Sequence, residues 1–249
     1  MIINIFTTVV NRPNFIFLQK KLFDKFLLNP FVFHVVDDSN DPELSANFIE
    51  ICAENNCKYY KKPYQNIHCP STACANTVQW TYDNIIKKNH SEEMVLFIDS
   101  DMFLIDQFDI IDYMKDSLIA GLEQVRGHVK YMWNGLMVFN MGKLPDKNID
   151  FSNGVVDGEL TDVGGFTYYY FKTNKIEMKN TGAEYPDEIN NILVKNELNT
   201  KGYNMELHLN KKFLHYRAAT NWHSNWKGTA DPLFEKTKIF NEVIRSILK

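Results

Sequence analysis

Apolar and polar positions run along this chain in two rhythms: short apolar runs, and apolar residues spaced three and four apart. Ile2 to Val10 is largely apolar and predicts a first strand, closed by Asn11-Arg12-Pro13-Asn14. Phe15, Leu18, Leu22 and Phe26 then share one helical face. Phe31 to Val36 predicts a second strand, ending in Asp37-Asp38-Ser39. Asp41-Pro42-Glu43 is a helix start, with Asp as N-cap and Pro in the first turn; Leu44, Phe48 and Ile51 form the buried stripe. Cys57 to Lys61 reads as a third strand, and Ser71 or Thr72 is the expected cap of a helix through Val78, Tyr82 and Ile85. Met94-Val95-Leu96-Phe97-Ile98 is an unbroken apolar run, the pattern of a strand buried on both faces of a parallel sheet.

The second half is less regular. Leu118 to Glu123, Leu136 to Met141 and Lys212 to Tyr216 are strand-like. Tyr185-Pro186-Asp187-Glu188 reads as a helix start carrying Ile189, Ile192 and Leu193, and Asp231-Pro232 as another, followed by Leu233, Phe240, Val243 and Ile247. Strand and helix in alternation predict an α/β fold with a mostly parallel central sheet, helices on both faces and an irregular C-terminal half. No repeat, low-complexity tract or linker-like break divides the chain, so a single domain over residues 1–249 is expected.

Composition narrows the function classes. A length of 249 residues with 45% hydrophobic and 14% aromatic content can fill a core, which excludes a disordered chain. A net charge of −4 and a pI near 6.0 argue against nucleic acid as partner. No stretch approaches about 18 consecutive apolar residues, so no membrane span is expected. The start Met1-Ile2-Ile3-Asn4-Ile5-Phe6 lacks the basic region and cleavage site of a secretory signal, and a cytoplasmic location is expected. Cys52, Cys57, Cys69 and Cys74 do not match zinc spacings and read as reduced thiols.

The sharpest chemical signal is Asp99-Ser100-Asp101, directly after the Met94–Ile98 run. Ligands collect beyond the carboxyl ends of strands in such sheets. Residues i and i+2 of an extended chain point the same way, so Asp99 and Asp101 can converge on one cation. Paired hard oxygens suit Mg²⁺ or Mn²⁺, which bind through carboxylates together with substrate phosphates.

With that strand end, Trp133-Asn134-Gly135-Leu136-Met137-Val138-Phe139, Asp162-Val163-Gly164-Gly165 and Leu214-His215-Tyr216-Arg217, the chain resembles a GT-A glycosyltransferase. The resemblance implies a Rossmann-like GT-A domain with a nucleotide-binding half over 1–105 and an acceptor-binding half over 106–249. It implies a metal-dependent transfer of a sugar from a UDP- or GDP-sugar donor to a hydroxyl of a glycan or other acceptor. Under it the metal ligands are Asp99, Asp101 and His215, His223 competing with His215, and the nitrogen donor shifts preference from Mg²⁺ toward Mn²⁺. Nucleotide contacts fall to Thr7, Thr8, Asn11, Asp37, Asp38, Asp99 and, for the diphosphate, Lys227. Trp133, Asn134, Gly135, Gly164, Gly165, Arg217 and His223 would line the sugar pockets. Asp162, with Asp157 and Glu159 as rivals, would be the base of an inverting enzyme, or would bind a sugar in a retaining one. Phe166 to Phe171 would be an aromatic wall or a core strand. The segment His215-Tyr216-Arg217-Ala218-Ala219 departs from the His-x-Gly-x-x-Lys form of glycogenin-like members, which weakens the transfer of the diphosphate role to Lys227.

Two other classes compete. In a metal-dependent phosphohydrolase the Asp-x-Asp pair sits on the first strand and is followed by Thr or Val; here it comes late and is followed by Met102-Phe103. A nucleotide-sugar or glycan-binding module that has lost its chemistry would keep the fold alone.

Overall fold

The computed structural model describes residues 1–67, 69–194, 205–217, 219 and 232–249, with the side chains of the last helix from residue 236. Strands β1 (Ile3–Val9), β2 (Phe31–Asp37), β3 (Lys58–Lys61) and β4 (Met94–Asp99) alternate with helices α1 (Pro13–Phe26), α2 (Pro42–Glu54) and α3 (Pro70–Thr81). Helix α3 runs on through a π turn, Tyr82–Ile86, into the short α4 (Lys87–Asn89). Then follow β5 (Met102–Leu104), α5 (Ile110–Met114), β6 (Ile119–Arg126), β7 (Val129–Asn140), β8 (Gly154–Val156), β9 (Glu159–Thr161) and α6 (Thr167–Asn174). Short strands β10 (Lys179–Asn180), β11 (Ala183–Glu184), β12 (Glu188–Ile189) and β13 (Ile192–Leu193) precede β14 (Met205–His208), β15 (Phe213–Tyr216) and α7 (Pro232–Leu248).

The central sheet has seven strands in the order β10-β6-β7-β4-β1-β2-β3. Its β10–β6, β4–β1, β1–β2 and β2–β3 pairs are parallel, while β7 lies antiparallel between β6 and β4. This is the mostly parallel α/β sheet expected. Alternation along each strand splits the core in two. Ile3, Ile5, Val9, Phe33, Val35, Leu96 and Ile98 pack with Ile16 and Phe23 of α1 and Phe48 of α2. Phe6, Val36, Val95 and Phe97 pack with Val78 of α3 and with Tyr82 and Ile85. Register brings Thr8 opposite Asp99 and Val9 opposite Asp37, so β1, β2 and β4 end level with one another.

A second sheet, β11-β14-β15-β5, stands beside that edge. Its β5 leaves β4 through Ser100 and Asp101 and pairs antiparallel with β15. Helix α7 covers it: Phe103 sits 5.0 Å from Phe240, and Tyr216 stacks on Phe240 at 4.6 Å. The Asp99–Asp101 turn is thereby pinned between two sheets.

The local rules explain most boundaries. Asp41 caps α2, its Oδ1 accepting from the backbone of Glu43 at 2.8 Å and of Leu44 at 3.4 Å. Three expectations are corrected. The cap of α3 is neither Ser71 nor Thr72; Cys69 occupies the N-cap and Pro70 starts the helix. Tyr185–Glu188 opens no helix, because Asn190 and Asn191 take left-handed φ of 49° and 62° and turn β12 back on β13. Two asparagines in that conformation are a hairpin turn, and it outweighs the helix-like spacing of Ile189, Ile192 and Leu193. Phe166–Phe171 is not a strand: Phe166 stands at the N-cap of α6 and the rest form its first turns, whose buried members Thr167 and Tyr170 lie three apart. The expected cap at Asp231 lies outside the described residues, as does the side chain of Leu233.

One buried group makes stability depend on pH. His34 in β2 stacks on Phe6 at 4.3 Å and pairs through Nε2 with Asn4 Oδ1 at 3.0 Å. Burial, reinforced by His90 and Lys58, pushes its pKa down to about 3. The folded ring stays neutral while the unfolded chain takes up a proton near pH ~6.5. Its contribution is therefore complete above that pH and falls by up to ~1.4 kcal/mol per pH unit as acid is added. His34→Gln is expected to flatten the acid slope of urea-unfolding stability between about pH 6 and about pH 4; an unchanged slope would mean the ring titrates alike in both states.

Candidate active site

The site forms where β4 hands the chain to β5. Asp99 continues the face of Val95 and Phe97, so it points to the α3 side, half-buried. Ser100 and Asp101 are not extended; they make a tight turn, because the next residues must join a different sheet. The turn, and not strand alternation, therefore sets where the two carboxylates stand. Asp101 is buried, with Oδ2 accepting from the Ala219 N–H at 3.1 Å and its carbonyl from the Tyr216 N–H at 2.8 Å. Burial and the neighbouring charges of Asp101 and Asp162 hold the Asp99 carboxyl well above the usual carboxylate range, against the pull of His215. Crowded acids of this kind are what a divalent cation relieves.

Gln19 of α1 fixes the turn from below. It is fully buried, and its Nε2 donates to the carbonyls of Asp99 and of Met102, each at 2.9 Å. Its Oε1 has no hydrogen-bond partner among the described residues. Gln19→Leu orphans two buried carbonyls and removes one orphaned oxygen, so a net loss of about 1–3 kcal/mol is expected. Urea unfolding measures it, and stability equal to wild type would show that the turn holds itself.

His215 on β15 reaches the turn from the second sheet. Its Nε2 lies 3.5 Å from Asp101 Oδ1, and its Nδ1 lies 3.0 Å from Glu206 Oε2. Burial disfavours the charged ring, yet Asp101 and Glu206 outweigh it and hold the imidazole above its ordinary range. Glu206, directly across the strand pair, also takes His208 Nε2 at 3.2 Å and Arg217 at 3.2 Å. Burial opposes its ionisation, but the hydrogen bonds from the two histidines keep it below the usual carboxylate range. Trp133 lies over the pair, its ring 5.2 Å from that of His215. Lys236 is buried nearby, donates to the Arg217 carbonyl at 2.7 Å, and is pushed down to about 7 by burial against the pull of Asp101.

Asp101 and His215 offer a carboxylate oxygen and an imidazole nitrogen, both donors a divalent cation accepts. Neighbouring ligands of an octahedral ion with bonds of about 2.1 Å stand about 3 Å apart, and the His215–Asp101 separation of 3.5 Å is close to that. That pair of donors fits Mn²⁺ or Mg²⁺, and the described residues that lie closest together as possible ligands are Glu206, His208 and His215.

The remaining expected residues divide. Thr8 shares the face of Asp99, and Asp38 lies on the α3 side, held by Lys62 at 2.7 Å and Thr77 at 2.5 Å. Asn11 stands just past β1, half-buried. Thr7 and Asp37 differ from Thr8 and Asp38 in place: one-residue alternation turns each to the α1 and α2 side, where both are fully buried. Asp37 there accepts from the backbone of Ser39, Tyr59 Oη and Lys61 Nζ.

Residues Asn134-Gly135-Leu136 form a bulge in β7, where the pairing with β6 jumps from Gly121–Met137 to Leu122–Trp133. A Cβ on Gly135 would sit 1.8 Å from the Trp133 indole. The buried Asn134 amide has no hydrogen-bond partner at either atom among the described residues. Asp162 follows β9, half-buried, with Oδ1 taken by the Val163 N–H at 2.8 Å. Its rivals Asp157 and Glu159 belong to the β8–β9 hairpin, Asp157 bonded to Tyr168 and Lys172. Gly164 and Gly165 owe their smallness to the protein itself. A Cβ on Gly164, at φ +89°, would meet the Met132 carbonyl at 2.0 Å, and one on Gly165 would meet Thr161 Oγ1 at 1.8 Å. Arg217 is exposed and paired with Glu206. Burial first, and then the charges of Asp99, Asp162, Asp38 and Asp101, push the Cys74 thiol of α3 well above its ordinary range. Trp222, His223 and Lys227 lie outside the described residues.

Sequence reading misses Gln19, Glu206, His208 and Lys236. The signal for Glu206 is present in the matched alternation of Met205-Glu206-Leu207-His208 and Phe213-Leu214-His215-Tyr216. Its meaning depends on a pairing register that composition does not reveal.

This sheet order, with smaller sheets set against the carboxyl end of its central strands, is the fold of the GT-A glycosyltransferases. An active-site mutant of LgtC superposes over 96% of this chain and 95% of its own, with a TM-score of 0.52 and 12% identity, a likeness of fold alone. The galactosyltransferase LgtC in complex with donor and acceptor sugar analogues aligns over 56% of this chain at 14% identity and a TM-score of 0.38, the aligned part spanning 58% of that chain. Mouse xyloside xylosyltransferase 1 aligns over 72% of this chain and 85% of its own, at 8% identity and a TM-score of 0.46. No protein-family model matches the chain, and no curated protein matches its sequence. Among the described residues no helix is long and apolar enough to cross a membrane.

Proposed function

We propose that the protein is a metal-dependent glycosyltransferase that moves a sugar from a nucleoside-diphosphate donor to a hydroxyl acceptor. The observation that carries this reading is the Asp101–His215 pair, 3.5 Å apart, just past the carboxyl end of β4 in a GT-A fold, with Asp99 two residues away on the same turn. Asp99, Asp101 and His215 Nε2 would hold the cation. When bound, Mn²⁺ or Mg²⁺ neutralises the charge that gathers on the departing diphosphate oxygens. Thr8, Asn11 and Asp38 line the nucleoside side of this edge, and Asp38 is rigid because Lys62 and Thr77 hold it. Trp133 and the Asn134 amide, unpartnered among the described residues, offer a flat face and two hydrogen-bonding atoms to a sugar. Asp162, within electrostatic reach of Asp99, takes the proton of the acceptor hydroxyl.

Late placement of the Asp pair and the likeness of fold both favour a transferase over a phosphohydrolase. Incubation with a panel of UDP- and GDP-sugars and Mn²⁺ is the test. Release of nucleoside diphosphate that depends on Mn²⁺ supports the reading. Phosphate release from p-nitrophenyl phosphate without nucleotide-sugar turnover overturns it. Binding of nucleotide and Mn²⁺ without any turnover reduces the protein to a binding module.

A further inference from the structure

We infer that Glu206 is the positioning residue of the metal site: it grips His215 by Nδ1 and so turns Nε2 toward Asp101 and the cation. The inference rests on the metal reading above and extends it to a residue that never touches the ion.

Register supplies the first reason. Glu206 and His215 are directly opposed on the antiparallel β14–β15 pair, so their side chains leave the sheet on the same face. Glu206 Oε2 then stands 3.0 Å from His215 Nδ1. An ionised carboxylate only accepts, so Nδ1 is the donor, and Nε2 is the nitrogen left for other use. That nitrogen faces Asp101 Oδ1 at 3.5 Å, longer than a good hydrogen bond and suited to two ligands sharing one ion.

The carboxylate is itself held still. His208 Nε2 shares Oε2 at 3.2 Å, and Arg217 pairs with Oε1 at 3.2 Å. Trp133 closes the other side of both imidazoles. Glu206, His208 and His215 could be read as a cation site of their own, since their ligand atoms lie within 4.8 Å of one another. The Arg217 guanidinium on the same carboxylate argues against that, because it already supplies the positive charge. What remains is the carboxylate–histidine–metal arrangement, in which loss of the carboxylate typically lowers metal affinity by about 10–100-fold.

Glu206→Leu removes the acceptor, and Glu206→Gln keeps a carbonyl oxygen should the first variant fail to fold. Two quantities are read: Mn²⁺ affinity by the free-ion paramagnetic resonance signal, alone and with UDP, and the hydrogen-bonded Nδ1–H proton of His215 by NMR of the metal-free protein. The expected result is about a 10–100-fold weaker Mn²⁺ affinity, with loss of the His215 Nδ1–H signal, UDP binding without metal unchanged, and a smaller effect for Glu206→Gln. If His215→Ala weakens Mn²⁺ binding but both Glu206 variants bind it as wild type does, the positioning role is overturned. A Mn²⁺ ion whose resonance shows coupling to His208 overturns it as well. If the wild type binds no Mn²⁺, the metal reading fails; the metal-free Nδ1–H signal still judges Glu206, and its persistence in Glu206→Leu overturns the grip on His215.

Discussion

Asp101→Asn is expected to abolish Mn²⁺-dependent binding of a nucleoside diphosphate while the protein stays folded. Two contacts separate these outcomes. Asp101 Oδ2 accepts from the Ala219 N–H at 3.1 Å, a bond that an asparagine carbonyl can keep. Asp101 Oδ1 faces His215 Nε2 across 3.5 Å, and an uncharged amide there is a poor ligand. Removing a directly bound carboxylate should exceed the effect of removing an outer partner, so a loss of more than about 100-fold is expected. The substitution also relieves Asp99 of a like charge, which brings its carboxyl back toward the ordinary range. Calorimetric titration with UDP, with and without Mn²⁺, measures the first effect, and a thermal melt the second. Metal-dependent binding retained at wild-type strength removes Asp101 from the site.

Asp162→Asn is expected to lower kcat by about 10²–10⁴-fold, the usual worth of a positioned general base, with the affinity for nucleotide and Mn²⁺ unchanged. Asp162 is half-buried, its Oδ1 accepts from the Val163 N–H, and Gly164 and Gly165 lock the backbone behind it. Such a group can act on a hydroxyl without refolding its loop. The same role requires that the new bond have the opposite anomeric configuration to the donor's. NMR of the product therefore offers a second reading, and a retained configuration would move Asp162 from proton acceptor to sugar contact.

Much of the architecture is legible in the chain because it is written in local periodicity. The Met94–Ile98 run and the Asp41-Pro42 start behave as isolated-segment rules demand. Asp99 and Asp101 stand out because the carboxyl end of a buried strand is a privileged place in such sheets. Thr7 and Asp37 stand apart from Thr8 and Asp38 because a shift of one residue moves a side chain to the opposite face. Tyr185–Glu188 misleads because Asn190-Asn191 carries a turn inside a spacing that also suits a helix.

By itself, then, the sequence determined the order of strands and helices through β4, the apolar faces of those elements and the acidic strand end, since each follows from residues close together in the chain. Tertiary structure alone decided which acids share a space, that Gln19 holds their turn, and that Glu206 meets His215. Those contacts join segments up to 83 residues apart, and pairing register and sheet packing, not local spacing, bring them together.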